Sequence, residues 1–99
     1  MAKKANEIEC YALKIEPSKI RDFDKDMAHL LEQTKDDPHL VGMYIDPHDY
    51  SNYLLFDDAK ARGEAYTRIN KGAKREEDII VSLIPEVCYV DKKYLPKEN

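Results

Sequence analysis

Tryptophan is absent from this chain, and glycine (three), phenylalanine (two) and cysteine (two) are scarce. Each scarcity excludes something. The glycines, at positions 42, 63 and 72, are scattered and cannot form a Gly-rich phosphate loop. Cys10 and Cys88 form no CxxC pair, so neither a disulfide framework nor a thioredoxin-like motif is encoded. Free thiols in a reducing compartment are expected. No HxxxH, HExxH or Cys/His zinc spacing occurs, and no metal or cofactor is expected. No apolar run approaches the roughly 18–20 residues that span a bilayer, and Met1–Glu7 lacks the apolar core of a signal peptide. A cytoplasmic protein with no membrane association is the expectation.

Ninety-nine residues suffice for one domain with one core and are too few for two. Twenty acidic against sixteen basic residues leave a formal charge of −4, which argues against nucleic acid as the main partner. Tyrosine stands out in the other direction, with seven copies, among them Tyr44, Tyr50, Tyr53, Tyr89 and Tyr94 on or beside expected strands.

Hydrophobic periodicity divides the chain. Residues 7–16 alternate, with Tyr11, Leu13 and Ile15 on one face and Ile8, Cys10 and Ala12 on the other, which predicts a strand ended by Pro17. Ser18 is the expected N-cap of a helix reaching about Thr34, with an apolar stripe of Ile20, Phe23, Met27, Leu30 and Leu31. Pro38 prevents that helix from passing Asp37. Leu40–Ile45 and Asn52–Phe56 read as strands joined by the polar turn 46–51, hence a hairpin. Asp57 or Asp58 caps a second helix from Ala59 to about Asn70, with Gly72 as its left-handed terminator. The small residues Ala59, Gly63 and Ala65 are expected to let it lie close to the sheet. The β-branched run 79–84 predicts either its own strand, kinked at Pro85 and resumed at Val87–Val90, or a short helical or extended approach to a final strand at 86–91.

Strand–helix–strand–strand–helix–strand is the order of a ferredoxin-like βαββαβ plait, an α+β fold with two helices on one face of an antiparallel sheet. The expected sheet order is 4-1-3-2, with a possible extra C-terminal strand, and it makes the strands carrying Cys10 and Cys88 neighbours. In such a plait the helix-free sheet face should read polar, and here it does not. If Leu54 and Phe56 point to the helices, Tyr53 and Leu55 point away; the other strands are equally two-sided. Strands apolar on both faces predict a sheet covered on both faces, hence a homodimer packed through the open one.

Asp-Pro-His occurs twice, at 37–39 and 46–48. Functionally, Asp46, His48 and Asp49 could hold a metal, or His48 could act as a general base. Structurally, Asp-Pro opens a turn, and the composition alone accounts for both copies. Carboxylate pairs such as Asp57/Asp58 and Glu76/Glu77 lie at helix ends and links, where solvation explains them. No nucleophile–base order can be assembled from two strand cysteines and turn histidines.

Tyr50–Asp57 and the helix after it resemble the corresponding part of an RNA-recognition motif. The resemblance implies that Tyr53, at the fifth motif position, stacks a base, with Phe56 at the last. The chain departs from the motif at Ser51, where the third-position aromatic should be, and at Tyr50, where glycine should be. Tyr11 would add a platform only from the same face.

The leading expectation is a small non-catalytic binding protein acting through a dimer or protein-partner interface, as an inhibitor or regulatory subunit of the kind carried by phages and mobile elements. The alternative is a sensor or sequestering protein for a small anionic, nucleotide-like ligand held in a tyrosine-lined pocket between subunits. A small dimeric plait-type enzyme using His48 with Asp46 or Asp49 comes third. The candidate ligand- or partner-binding residues are Asp46, His48, Tyr50, Tyr53, Tyr89, Lys92 and Lys93.

Overall fold

A computed structural model describes residues 6–16, 23–74 and 78–94 of the chain. Its elements are β1 (Glu7–Ile15), α1 (Phe23–Thr34), β2 (Leu40–Ile45), β3 (Asn52–Phe56), α2 (Ala59–Ile69), β4 (Val81–Leu83) and β5 (Cys88–Asp91), followed by a 3₁₀ turn at Lys92–Tyr94. They make an α+β fold, two helices with a five-stranded antiparallel sheet. The strand order is β2-β3-β1-β4, and β5 also pairs with β1.

β4 and β5 share one edge of β1. Leu13 pairs with Leu83 and Cys10 with Cys88. Between those pairs β1 has two residues (11 and 12) and the opposing segment four (84–87). The surplus is a bulge centred on Pro85, which has no N–H to give the ladder. Ile84 spans the break from both ends: its N–H donates to the Ala12 carbonyl, and its own carbonyl accepts from the Arg62 guanidinium of α2 at 2.6 Å. Arg62 also lies 5.8 Å from the centre of the Tyr11 ring, so α2 secures the bulge from the helix side.

Paired residues in antiparallel strands share a face, and the two faces carry separate apolar clusters. Leu13, Ile15, Leu54, Phe56 and Val81 pack beneath the helices with Leu30 of α1 and Ala65 and Ile69 of α2. Cys10, Ala12, Leu55 and Val90 form the second cluster on the opposite face.

α2 begins where Asp58 accepts from the Ala61 N–H at 2.9 Å. Its inward residues are Ala61, Ala65 and Ile69, a clean i, i+4, i+8 series. The expectation that Ala59 and Gly63 face the sheet is therefore corrected: Ala59 is exposed, and a Cβ on Gly63 would meet nothing within 4 Å. The C-cap is Asn70, with Gly72 (φ +90°) in the turn that follows. Asn70 clips the helix to β4, accepting from the Ile80 N–H and donating to the Val81 carbonyl.

α1 ends at Thr34, a buried residue whose hydroxyl donates to the Leu30 carbonyl. Leu31, assigned to the apolar stripe, instead stands half exposed. The expected Ser18 cap and Ile20 lie outside the described residues. The two helix ends are joined by His29, whose ring meets the Ile69 carbonyl at 3.0 Å, and by Arg68, which donates to the Gln33 carbonyl and to Asp37. No helix among the described residues is long and apolar enough to cross a membrane.

Candidate functional site

The helix-free sheet face is hollowed into a groove of about 740 Å³. Side-chain size explains the hollow. Ala12 and Cys10, both buried, occupy the central strand, where large residues would have filled it. Tyr44 and Tyr53, a cross-strand pair with ring centres 6.4 Å apart, form one wall. Ile84 and Glu86, displaced by the Pro85 bulge, form the other, and Leu55, Cys88 and Val90 lie between. The bulge around Pro85 thus shapes a wall of the site.

Four of the seven candidate residues line this groove: Asp46, Tyr53, Tyr89 and Lys93. They come from the β2–β3 turn, β3, β5 and the 3₁₀ turn, so strand pairing brings together residues as much as 47 positions apart in the sequence. His48, Tyr50 and Lys92 do not line it; His48 and Tyr50 belong to the exposed turn and Lys92 is exposed on the 3₁₀ turn. The groove also takes in residues that sequence reasoning passed over, among them Ile84, Glu86, Cys88 and Asp91. The one signal pointing to them was Pro85, which marked a break in the last strand.

The charges at the groove differ from those expected. Glu7, Asp46, Glu86 and Asp91 line it against one lysine, Lys93. An acidic lining opposes an anionic ligand and favours a neutral or cationic one.

The turn chemistry is spent on the turn. Asp46 accepts from the His48 N–H at 2.8 Å and Asp49 from the Ser51 N–H at 2.9 Å, while Tyr50 takes a left-handed conformation (φ 61°). The hydrogen bonds from Ser51 hold the Asp49 carboxyl below its ordinary pKa. The first Asp-Pro-His triplet works the same way, with Asp37 accepting from the His39 N–H at 2.9 Å. Both triplets are Asx turns in which aspartate bonds the backbone two residues on. His39 differs in one respect: its Nδ1 lies 2.8 Å from Asp57, and that hydrogen bond raises the His39 pKa. Among the described residues no group of three or more His, Cys, Asp or Glu side chains is arranged to hold a metal.

The aromatic platform implied by the RNA-recognition resemblance is divided between two faces. Tyr53 faces the groove with Lys14, whereas Tyr11 and Phe56 pair on the helix side, where Phe56 is fully buried. Base stacking of the kind that motif uses would have Tyr53 and its neighbour Tyr44 alone.

Of the two thiols, Cys88 lines the groove and Cys10 is buried. Cys10 and Cys88 are directly opposed on β1 and β5. Burial, with help from Cys88 and Asp57, pushes the Cys10 thiol up to about 11. Burial and Glu86 also raise Cys88, against a smaller opposing pull from Arg62. Both therefore stay protonated at neutral pH, which makes them slow nucleophiles and poor metal ligands. Comparison of the chain with family models, with curated proteins and with solved structures finds no match in any of the three.

Proposed function

We propose that this chain is a non-catalytic binding protein of ferredoxin-like plait topology, which dimerises through its open sheet face and acts on a larger protein as an inhibitor or regulatory subunit. One observation carries the reading: the sheet is apolar on both faces, while both helices pack against only one. On the face away from the helices Cys10, Ala12, Leu55 and Val90 form a second buried apolar cluster, edged by the part-exposed Tyr44 and Tyr53. A second copy is the self-complementary surface that a two-sided apolar sheet requires. The outer edge of β2 is then left for the partner. Met43 and Ile45 project from this edge strand, 41% and 58% exposed, which suits addition of a partner's strand.

A second reading rests on the groove itself. Its volume falls within the roughly 300–1,000 Å³ of small-molecule sites, and its tyrosine walls with an acidic lining suit a neutral or cationic aromatic ligand. Native mass spectrometry of the gently purified protein separates the two readings. A bare dimer supports the protein-binding reading. A dimer carrying a small extra mass transfers the function to the groove. A monomer at micromolar concentration removes the dimer from both.

A further inference from the structure

We propose that Cys10 and Cys88 form a cross-strand redox pair, in which a hydroperoxide reaching the groove oxidises Cys88 and Cys10 closes the disulfide. The geometry comes from the ladder; the chemistry needs the groove open to solvent, as it is in the single chain. The two cysteines are direct Cα partners on antiparallel strands, so their side chains leave the sheet on the same face. They also fall in one packing cluster.

Ladder phase sets their separation. The Lys92 N–H donates to the Asn6 carbonyl at 3.0 Å, which makes 6 and 92 a hydrogen-bonded pair. Hydrogen-bonded and non-hydrogen-bonded pairs alternate along the strands, so Cys10 and Cys88 form another hydrogen-bonded pair, with Cα atoms about 5.5 Å apart. Disulfides span Cα separations of about 4.4–6.8 Å. The Cβ atoms of such a pair start somewhat wider than a disulfide prefers, and closing the bond draws β5 toward β1. β5 can give: it is a four-residue strand, paired with β1 alone among the described residues, and preceded by the Pro85 bulge.

Accessibility divides the labour. Cys88 is half-buried and lines the groove, whereas Cys10 has no exposed surface. The peroxide oxygen is therefore transferred to the Cys88 sulfur, giving a sulfenic acid and releasing water (or an alcohol, from an organic hydroperoxide). The Cys10 sulfur then attacks the Cys88 sulfur. The S–S bond forms, the S–O bond breaks, and the hydroxyl leaves as water with the Cys10 proton. Overall two thiols are oxidised, and the peroxide is reduced by two electrons. Because both thiols are protonated at neutral pH, the reaction is slow compared with dedicated peroxide sensors. The strain of a hydrogen-bonded pair makes the product easily reduced.

The test treats the reduced full-length protein, native and diluted until it is monomeric, with hydrogen peroxide. Intact mass and non-reducing peptide mapping follow. The expected product is a monomer chain lighter by two hydrogens, with the Cys10 and Cys88 peptides joined and released by dithiothreitol. In Cys10→Ala, Cys88 stops at the sulfenic acid and is trapped by dimedone. In Cys88→Ser, Cys10 stays unmodified. Two free thiols surviving peroxide in the wild type would overturn the proposal. So would oxygen added to Cys88 without cross-linking, or a disulfide between chains.

Discussion

Leu54 and Leu55 are adjacent, chemically identical and almost equally buried, yet they belong to different faces of β3. Truncating each to alanine isolates what covers each face. Leu54 lies under the helices beside Phe56 and Leu13, where the surrounding elements cannot follow a lost side chain. Leu54→Ala therefore loses the transfer free energy of the removed atoms and leaves a cavity, at a cost of about 3–5 kcal/mol. Leu55 lies in the groove, where the space left behind opens to the hollow already present. Leu55→Ala loses mainly the transfer term, about 2 kcal/mol. The second half of the prediction concerns association. Leu55→Ala weakens the dimer, whereas Leu54→Ala leaves the affinity of the folded fraction unchanged. Urea unfolding at several protein concentrations reads both quantities, because a dimer's midpoint rises with concentration and a monomer's does not. Equal losses for the two variants, with midpoints independent of concentration, would refute a sheet whose two faces have different cover.

Asn70→Ala strands the Ile80 N–H and the Val81 carbonyl together; a loss of about 2–3 kcal/mol is expected in chemical denaturation, with Asn70→Asp recovering only the acceptor half. Asp58→Ala removes the N-cap of α2 and costs about 1 kcal/mol by the same assay. The hydrogen bond to Asp57 raises the pKa of folded His39 above its unfolded value, so the folded chain binds that proton more tightly. The associated stability is fully present below the unfolded value near 6.5 and fades as pH rises through the folded one. Proton NMR titration should place His39 above the ordinary histidine value in the wild type and return it toward that value in Asp57→Asn.

Strand and helix positions were largely legible because the two periodicities are clean: Leu13 and Ile15 alternate with Ala12 and Lys14, and Asp58 announces α2. Which face of α2 turns inward was not legible from residue size. Gly63 looked suited to close packing, but the register fixed by Ala61, Ala65 and Ile69 turns it away. Leu31 leaves the stripe for a related reason: it lies next to Leu30 in sequence, and one helical step of about 100° carries it out to solvent. For the site, the tyrosine excess pointed to the groove face at Tyr53, and Asp46, Tyr89 and Lys93 also line the groove, although Tyr89, paired with Glu9, alternates with Cys88 and Val90 and so belongs to the other face. The groove itself was hidden. A hollow depends on where small residues meet a displaced strand, and here that meant Ala12 against a bulge whose two surplus residues only pairing reveals. His48 and Tyr50 looked functional because turn residues and site residues have the same chemistry, and only the Asx hydrogen bonds distinguish them.

The most direct measurement is the mass in solution of the wild type and of Tyr53→Arg, by light scattering on a sizing column at micromolar concentration. Tyr53 faces the groove beside Tyr44, so a cation there disrupts the surface proposed for the dimer while leaving the helix-side core untouched. The account predicts twice the 11.5 kDa chain mass for the wild type and a folded monomer for Tyr53→Arg. A monomeric wild type, or a variant that still dimerises, would contradict it.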